Sequence, residues 1–147
     1  MGWLSRLLGR GETRTQRSNT DGTPLVRTDF SDDDAWEGLL KAASTPSPDG
    51  FLANLFVIDE RRFDGATVEQ IDESALATGH AVFFVADKIA MTHSEHPFLC
   101  VNASAPERMF RVIPAELWAP ENNLSLGNMD FHEFADNAGS GGIFRGF

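Results

Sequence analysis

Three strand-like runs of this chain lead into an acid. Leu25-Val26-Arg27-Thr28 runs into Asp29, Phe51 to Ile58 into Asp59, and Ala81 to Ala86 into Asp87. In open α/β sheets ligands sit in the crevice beyond the carboxyl ends of the strands. Three carboxylates converging there would suit a hard cation such as Mg²⁺, which would in turn hold a phosphate. Lys88 would add a positive charge beside Asp87. This constellation describes a metal-dependent hydrolase or phosphoryl-transfer enzyme. A plainer chemistry competes with it, because Asp after a strand commonly starts a turn or caps a helix. Asp32, Asp33 and Asp34 read as first-turn residues complementing a helix dipole. No glycine-rich phosphate loop follows any of the three runs, so no catalytic residue is assigned.

A second cluster is His93-Ser94-Glu95-His96. Two histidines at this spacing are weak zinc candidates, since a catalytic zinc site needs a third ligand. Asp87, Glu95 and His80 qualify for that place only by nearness in sequence. Before Pro97 the run reads more simply as a polar turn. His132 falls on the polar side of a late helix. Gly139 to Gly142 lacks the strand-before, helix-after setting of a nucleotide loop, and no nucleophile elbow occurs. The single cysteine, Cys100, lies in the apolar run Phe98-Leu99-Cys100-Val101 and reads as a small buried hydrophobe. It forms no intrachain disulfide, and nothing requires an oxidising compartment, so the expected location is the cytoplasm. No metal and no cofactor are predicted.

The elements that must position these residues follow from periodicity. Leu25 to Phe30 reads as a first strand. Ser31 with Asp34 resembles a capping box, and Trp36, Leu39, Leu40 and Ala43 share one helical face. Thr45 to Gly50 breaks the helix. Phe51 to Ile58 is nearly continuous in apolar residues and predicts a strand buried on both faces. Thr67 with Gln70 forms a second capping box, and Val68, Ile71 and Ala75 make the stripe of a second helix. Ala81 to Ala86 predicts another buried strand. Phe98 to Val101 and Met109 to Ile113 predict a hairpin at one edge of the sheet. Pro114 opens a short helix through Trp118, limited by Pro120. Asp130 with Glu133 caps a last helix that ends at Gly139. Strand, helix, strand, helix, strand is the order of an α/β domain. The expected fold is a single three-layer-like domain with a mixed, mostly parallel sheet of about five strands and flanking helices.

Composition bounds what that domain does. The chain has 147 residues, with 41% hydrophobic and 23% charged, which fits one soluble globular core. Net charge is −10. It is unevenly spread: five arginines against Glu12 and Asp21 leave residues 1–27 at +3, and seven basic against twenty acidic residues leave the remainder at −13. An acidic body repels phosphate backbones, so nucleic acid is not expected as a partner and a basic protein is. Residues 1–24 read as a basic arm and linker, and residues 25–147 as the folded domain. Trp3, Leu4, Leu7 and Leu8 would share one helical face, so residues 3–8 carry a weak expectation of membrane-surface contact. The apolar stretch there is too short, and interrupted by Arg6, for an export signal. No run approaches the length of a transmembrane helix.

Several segments carry a resemblance. Leu25 to Asp32, Phe83 to Asp87, His93 to Pro97, Phe110 to Pro114 and Glu121-Asn122-Asn123-Leu124-Ser125-Leu126-Gly127-Asn128-Met129-Asp130-Phe131 resemble an uncharacterised bacterial family, domain of unknown function 6924, over about residues 25–147. The family brings no activity to carry over. The last block also resembles a segment of several bacterial immunity proteins, which are small, acidic and cytosolic and neutralise toxins by binding. Glu121, Asn122, Asn123, Asn128 and Asp130 of that block are candidate interface residues, and Trp118 and Trp36 are candidate aromatic anchors that fit a core equally well. The same asparagines suit caps and turns, and Leu124, Leu126, Phe131 and Phe134 suit a core. Taken together, the residues predict a non-catalytic protein-binding module, with metal-dependent catalysis at Asp29, Asp59 and Asp87 as the alternative.

Overall fold

A computed structural model of the chain describes residues 22–147. The apolar face at residues 3–8 and most of the basic arm lie outside the described residues. β1 (Thr23–Arg27), β2 (Leu55–Ile58), β3 (Val82–Ala86), β4 (Phe98–Asn102), β5 (Met109–Val112) and β6 (Ile143–Phe144) form one sheet in the order β2-β1-β3-β4-β5-β6. β1 is parallel to both β2 and β3, and β5 is parallel to β6. β4 runs antiparallel to β3 and β5. This is the expected α/β class with a mixed, mostly parallel sheet, built from six strands where about five were expected. The extra strand is the two-residue β6, which follows the Gly139–Gly142 stretch read from sequence as a terminus. The β4–β5 hairpin is present, but β6 covers its outer side.

The helices are α1 (Asp33–Ala43), α2 (Val68–Glu73), α3 (Lys88–Thr92), α4 (Trp118–Ser125) and α5 (Phe131–Ala135). α1 follows β1 and α2 follows β2, and the two crossovers travel in opposite directions across the sheet. Their helices accordingly lie on opposite faces, as crossovers of one hand require. Trp36, Leu39 and Ala43 of α1 join Leu25, Phe84, Phe98, Cys100 and Phe110 on one face, together with residues of α3, α4 and α5. Ile71 of α2 and Phe63 join Val26, Ile58, Phe83, Val85, Leu99 and Val101 on the other. Side chains alternate between the faces as strand geometry dictates. β1, β3 and most of β4 are buried on both.

Two sequence expectations shift here. The run Phe51 to Ile58 is not a strand buried on both faces. Only Leu55–Ile58 is extended into the sheet, at its edge, with Phe56 and Val57 41% and 38% exposed. Hydropathy cannot tell an edge strand with apolar side chains from a central one. The folded domain also begins earlier than Leu25, since Thr23 and Pro24 belong to β1. A proline is admissible there because the Thr23 N–H donates to the Asn54 carbonyl on the β2 side, at 2.9 Å. Pro24 nitrogen therefore faces β3, where pairing starts only at Leu25. Gly22 lies so close to β2 that a Cβ on it would stand 2.7 Å from the Leu55 carbonyl carbon.

The capping boxes at Thr67/Gln70 and Asp130/Glu133 are both formed. The one expected at Ser31/Asp34 is displaced by a residue. Asp32 is the N-cap of α1 and accepts from Ala35 N, while Ser31 is engaged by Asp29. Pro120 does not limit a helix ending at Trp118. It sits in the first turn of α4, where its missing N–H has no intrahelical partner to lose.

Candidate functional site

β1 and β2 end side by side, and α1 begins where β1 stops. Arg27 is the last residue of β1 and is only 4% exposed. A buried guanidinium must be met by acceptors. Nε donates to the Asp29 carbonyl at 2.9 Å, Nη1 to Asp59 Oδ1 at 3.3 Å, and Nη2 to Asp33 Oδ1 at 2.7 Å. Its plane lies 4.2 Å from the Phe30 ring centroid and 5.1 Å from that of Trp36. Asp59 Oδ2 accepts from Trp36 Nε1 at 3.1 Å. Arg61 lies over Phe30 at 5.3 Å. Arg27, Phe30, Asp33, Trp36, Asp59 and Arg61, together with Glu37, line a cavity of about 400 Å³ at the carboxyl ends of β1 and β2.

The three strands that precede the aspartates are adjacent and parallel, which is the arrangement a carboxylate cluster needs. The side chains nevertheless go to separate partners. Asp29 folds back on its own loop, accepting from the Ser31 N–H at 2.9 Å and the Ser31 hydroxyl at 2.7 Å. Those two donors, then the charges of Lys88 and Arg27, hold its carboxyl below the usual aspartate value. Asp59 is joined to Arg27 and Trp36. Asp87 caps α3 through Ala90 N at 3.1 Å and takes Arg111 in a bidentate pair at 3.0 and 2.7 Å. Arg111 is held in place by the Pro97 carbonyl at 3.1 Å. Lys88 is the exposed first residue of α3. Among the described residues no three His, Cys, Asp or Glu side chains come together in a group able to hold a metal ion. The arginine at Asp33, which also feels Arg61, lowers that carboxyl's pKa as well.

The residues missed in the sequence are the arginines. Arg27 reads from sequence as a residue of the first strand and as part of the positive charge of residues 1–27; its burial and its pairing with Asp33 and Asp59 are what the structure adds. Arg111 likewise lies within a strand and answers Asp87. The available signal was a charged residue inside an apolar run, which burial obliges to find a counter-charge.

His93 and His96 each engage a backbone group through Nδ1. His93 Nδ1 accepts from the Glu95 N–H at 3.0 Å, so its proton is on Nε2. His96 Nδ1 lies 3.0 Å from the Ala90 carbonyl, so there Nδ1 carries the proton. His96 has a φ of 49°, which belongs to a tight turn. Glu95 pairs with Arg145 through both oxygens, at 2.7 and 2.8 Å, tying this turn to the residue after β6.

The Glu121–Phe131 block serves the fold at several points. Glu121 is 4% exposed and joins three segments. Its Oε2 accepts from the Thr23 hydroxyl at 2.8 Å and the Ser125 hydroxyl at 3.2 Å. Its Oε1 accepts from Asn54 N at 2.8 Å and Asn122 Nδ2 at 2.9 Å. Asn123 Nδ2 donates to the Ala119 carbonyl. Trp118 is half-buried and stacks on Phe51 with centroids 4.4 Å apart. Trp36, the other tryptophan weighed as a surface anchor, is 2% exposed. Asn128 and Asp130 are exposed.

Among the described residues no helix is long and apolar enough to cross a membrane. A comparison with curated proteins finds no match to the chain. A comparison with protein-family models matches residues 22–147, from the residue before β1 through Phe147. The chain therefore belongs to the family described as domain of unknown function DUF6924.

Proposed function

We propose that this domain is a non-catalytic, protein-binding module that presents an acidic surface to a basic partner in the cytoplasm. One observation carries the reading. Exposed apolar side chains, Phe51, Leu52, Phe56 and Val57, occur in and just before the edge strand of a body whose residues 28–147 carry a net charge of −13. Apolar contact supplies affinity, and complementary charge supplies encounter rate and selectivity. Within the block similar to immunity proteins, Asn128 and Asp130 are open to such a partner, while Glu121, Asn122 and Asn123 are engaged internally. The metal-dependent alternative asks Asp59 and Asp87 to give up Arg27 and Arg111. It has no observation in its favour beyond the shared strand ends.

The test is calorimetric titration of the full chain with an oligolysine peptide at low and high salt. Binding that weakens about tenfold or more as ionic strength rises severalfold supports the reading, because exposed charges are screened over roughly 10 Å at 0.1 M salt. No detectable binding at low salt contradicts it.

A further inference from the structure

We propose that the free edge of β2 is the docking surface, and that its occupant is an extended, basic segment of a partner protein added as a further strand. This deepens the acidic-module reading and rests on it. The phase of β2 is set by the Thr23 N–H bond to the Asn54 carbonyl. Alternate residues of a strand turn their backbone groups to the same side. Asn54, Phe56 and Ile58 therefore face β1, and Leu55 and Val57 direct their N–H and C=O groups outward. Among the described residues the sheet ends at β2.

Edges of this kind are usually guarded by a lysine, a proline or a bulge. Leu55–Ile58 contains none of these. Phe56 is in register with Pro24 and Val57 with Leu25, so the two exposed side chains lie on opposite faces of the edge. An added strand would meet one on each face. Four outward backbone groups are few, so pairing alone gives little hold and charge must contribute. The edge has Asp49 before it and Asp59 and Glu60 after it. At its carboxyl end opens the cavity bearing Glu37, where Arg27 already engages Asp33 and Asp59 and Arg61 lies over Phe30. Nearby Arg62 is already paired with Glu60 at 2.7 Å. A lysine or arginine of the added segment would meet the Glu37 carboxylate there, and along the edge Asp49, within a body of net negative charge. A second copy of this chain is disfavoured by like charge, since residues 28–147 are at −13 in both.

The experiment is an amide-resolved NMR titration of the full chain with a blocked peptide of alternating Arg and Val. Its controls are the same peptide with N-methylated valines and one with Glu for Arg. The expected result is saturable shifts centred on Leu55 and Val57, with slowed exchange of those two amides. N-methylation, or Phe56→Lys in the protein, should weaken binding about tenfold or more. Phe56→Lys should lower the melting temperature only modestly, since the residue is 41% exposed, and the protein should remain folded in the titration. Shifts elsewhere, or equal binding of the N-methylated peptide, would overturn edge docking and leave the acidic-surface reading standing. Absence of any salt-sensitive binding would defeat both. Two other occupants would also overturn the proposal. One is a second copy, seen as concentration-dependent changes at Leu55 and Val57 without peptide. The other is the chain's own residues 1–21, seen as cross-relaxation to Phe56 in the free protein.

Discussion

Replacing Glu121 separates two ways in which a buried carboxylate can hold a fold together. Its two oxygens receive four donors, two hydroxyls on Oε2 and two N–H groups on Oε1. Glu121→Ala removes all four acceptor contacts. It leaves the Asn54 N–H without its acceptor, at about 1–3 kcal/mol, and opens a gap beneath α4, so the total should reach roughly 3–5 kcal/mol. At about 3–5 °C per kcal/mol for a domain of this size, the melting temperature should fall by about 10 °C or more. Glu121→Gln is different. The Gln oxygen can keep the two N–H donors, and the amide NH₂ can donate to the Thr23 and Ser125 hydroxyls, which rotate to accept. It should cost less than about 1 kcal/mol. Urea denaturation of the three proteins with equal m-values is the assay. An alanine variant as stable as the parent, or a glutamine variant as damaged as the alanine one, would refute the clamp between β1, the residue before β2 and α4.

Other consequences are equally concrete. Asp29, Asp33 and Glu95 all have carboxyls held below their ordinary values, by Ser31, Arg27 and Arg145 respectively. Lowered carboxylates contribute stability that is full above the unfolded values of 3.8 and 4.5 and is lost as pH falls through the lower folded values. The melting temperature should therefore drop in acid, and Ser31→Ala should flatten part of that drop. A pH series of thermal melts showing no difference for Ser31→Ala would contradict it. Burial raises the Cys100 thiol well above its usual range. A thiol reagent at neutral pH should leave the native protein unlabelled and label it fully in denaturant. Gly22→Ala should destabilise the domain by about 1–3 kcal/mol by pressing β2 away from β1. A neutral result would show that the β1–β2 approach is looser than 2.7 Å implies.

Much of the fold was legible because local and global preferences agree. The helical spacing of Trp36, Leu39 and Ala43 does bury those residues, and Thr67/Gln70 and Asp130/Glu133 do cap their helices. The α/β order of the first three strands follows from the same patterns. β6 escaped because a two-residue strand has no periodicity to read. The exposure of Phe56 and Val57 escaped because an edge is a property of topology. The three aspartates follow adjacent parallel strands, but Asp59 and Asp87 are taken by Arg27 and Arg111 from other elements. For Arg111 the partner is 24 residues away, and for Arg27 the more distant of two is 32 residues away. Such pairs are invisible to spacing rules.

The chain's own groups engage Asp29, Asp59 and Asp87: Ser31 the first, Arg27 and Trp36 the second, Arg111 the third. Amide-resolved NMR with Mg²⁺, and then Mn²⁺ as a paramagnetic probe, tests it most directly. With the three carboxylates so engaged, no saturable shift and no site-specific broadening is expected around the three aspartates at millimolar ion. Saturable changes converging on all three would contradict it and establish a metal site at the strand ends.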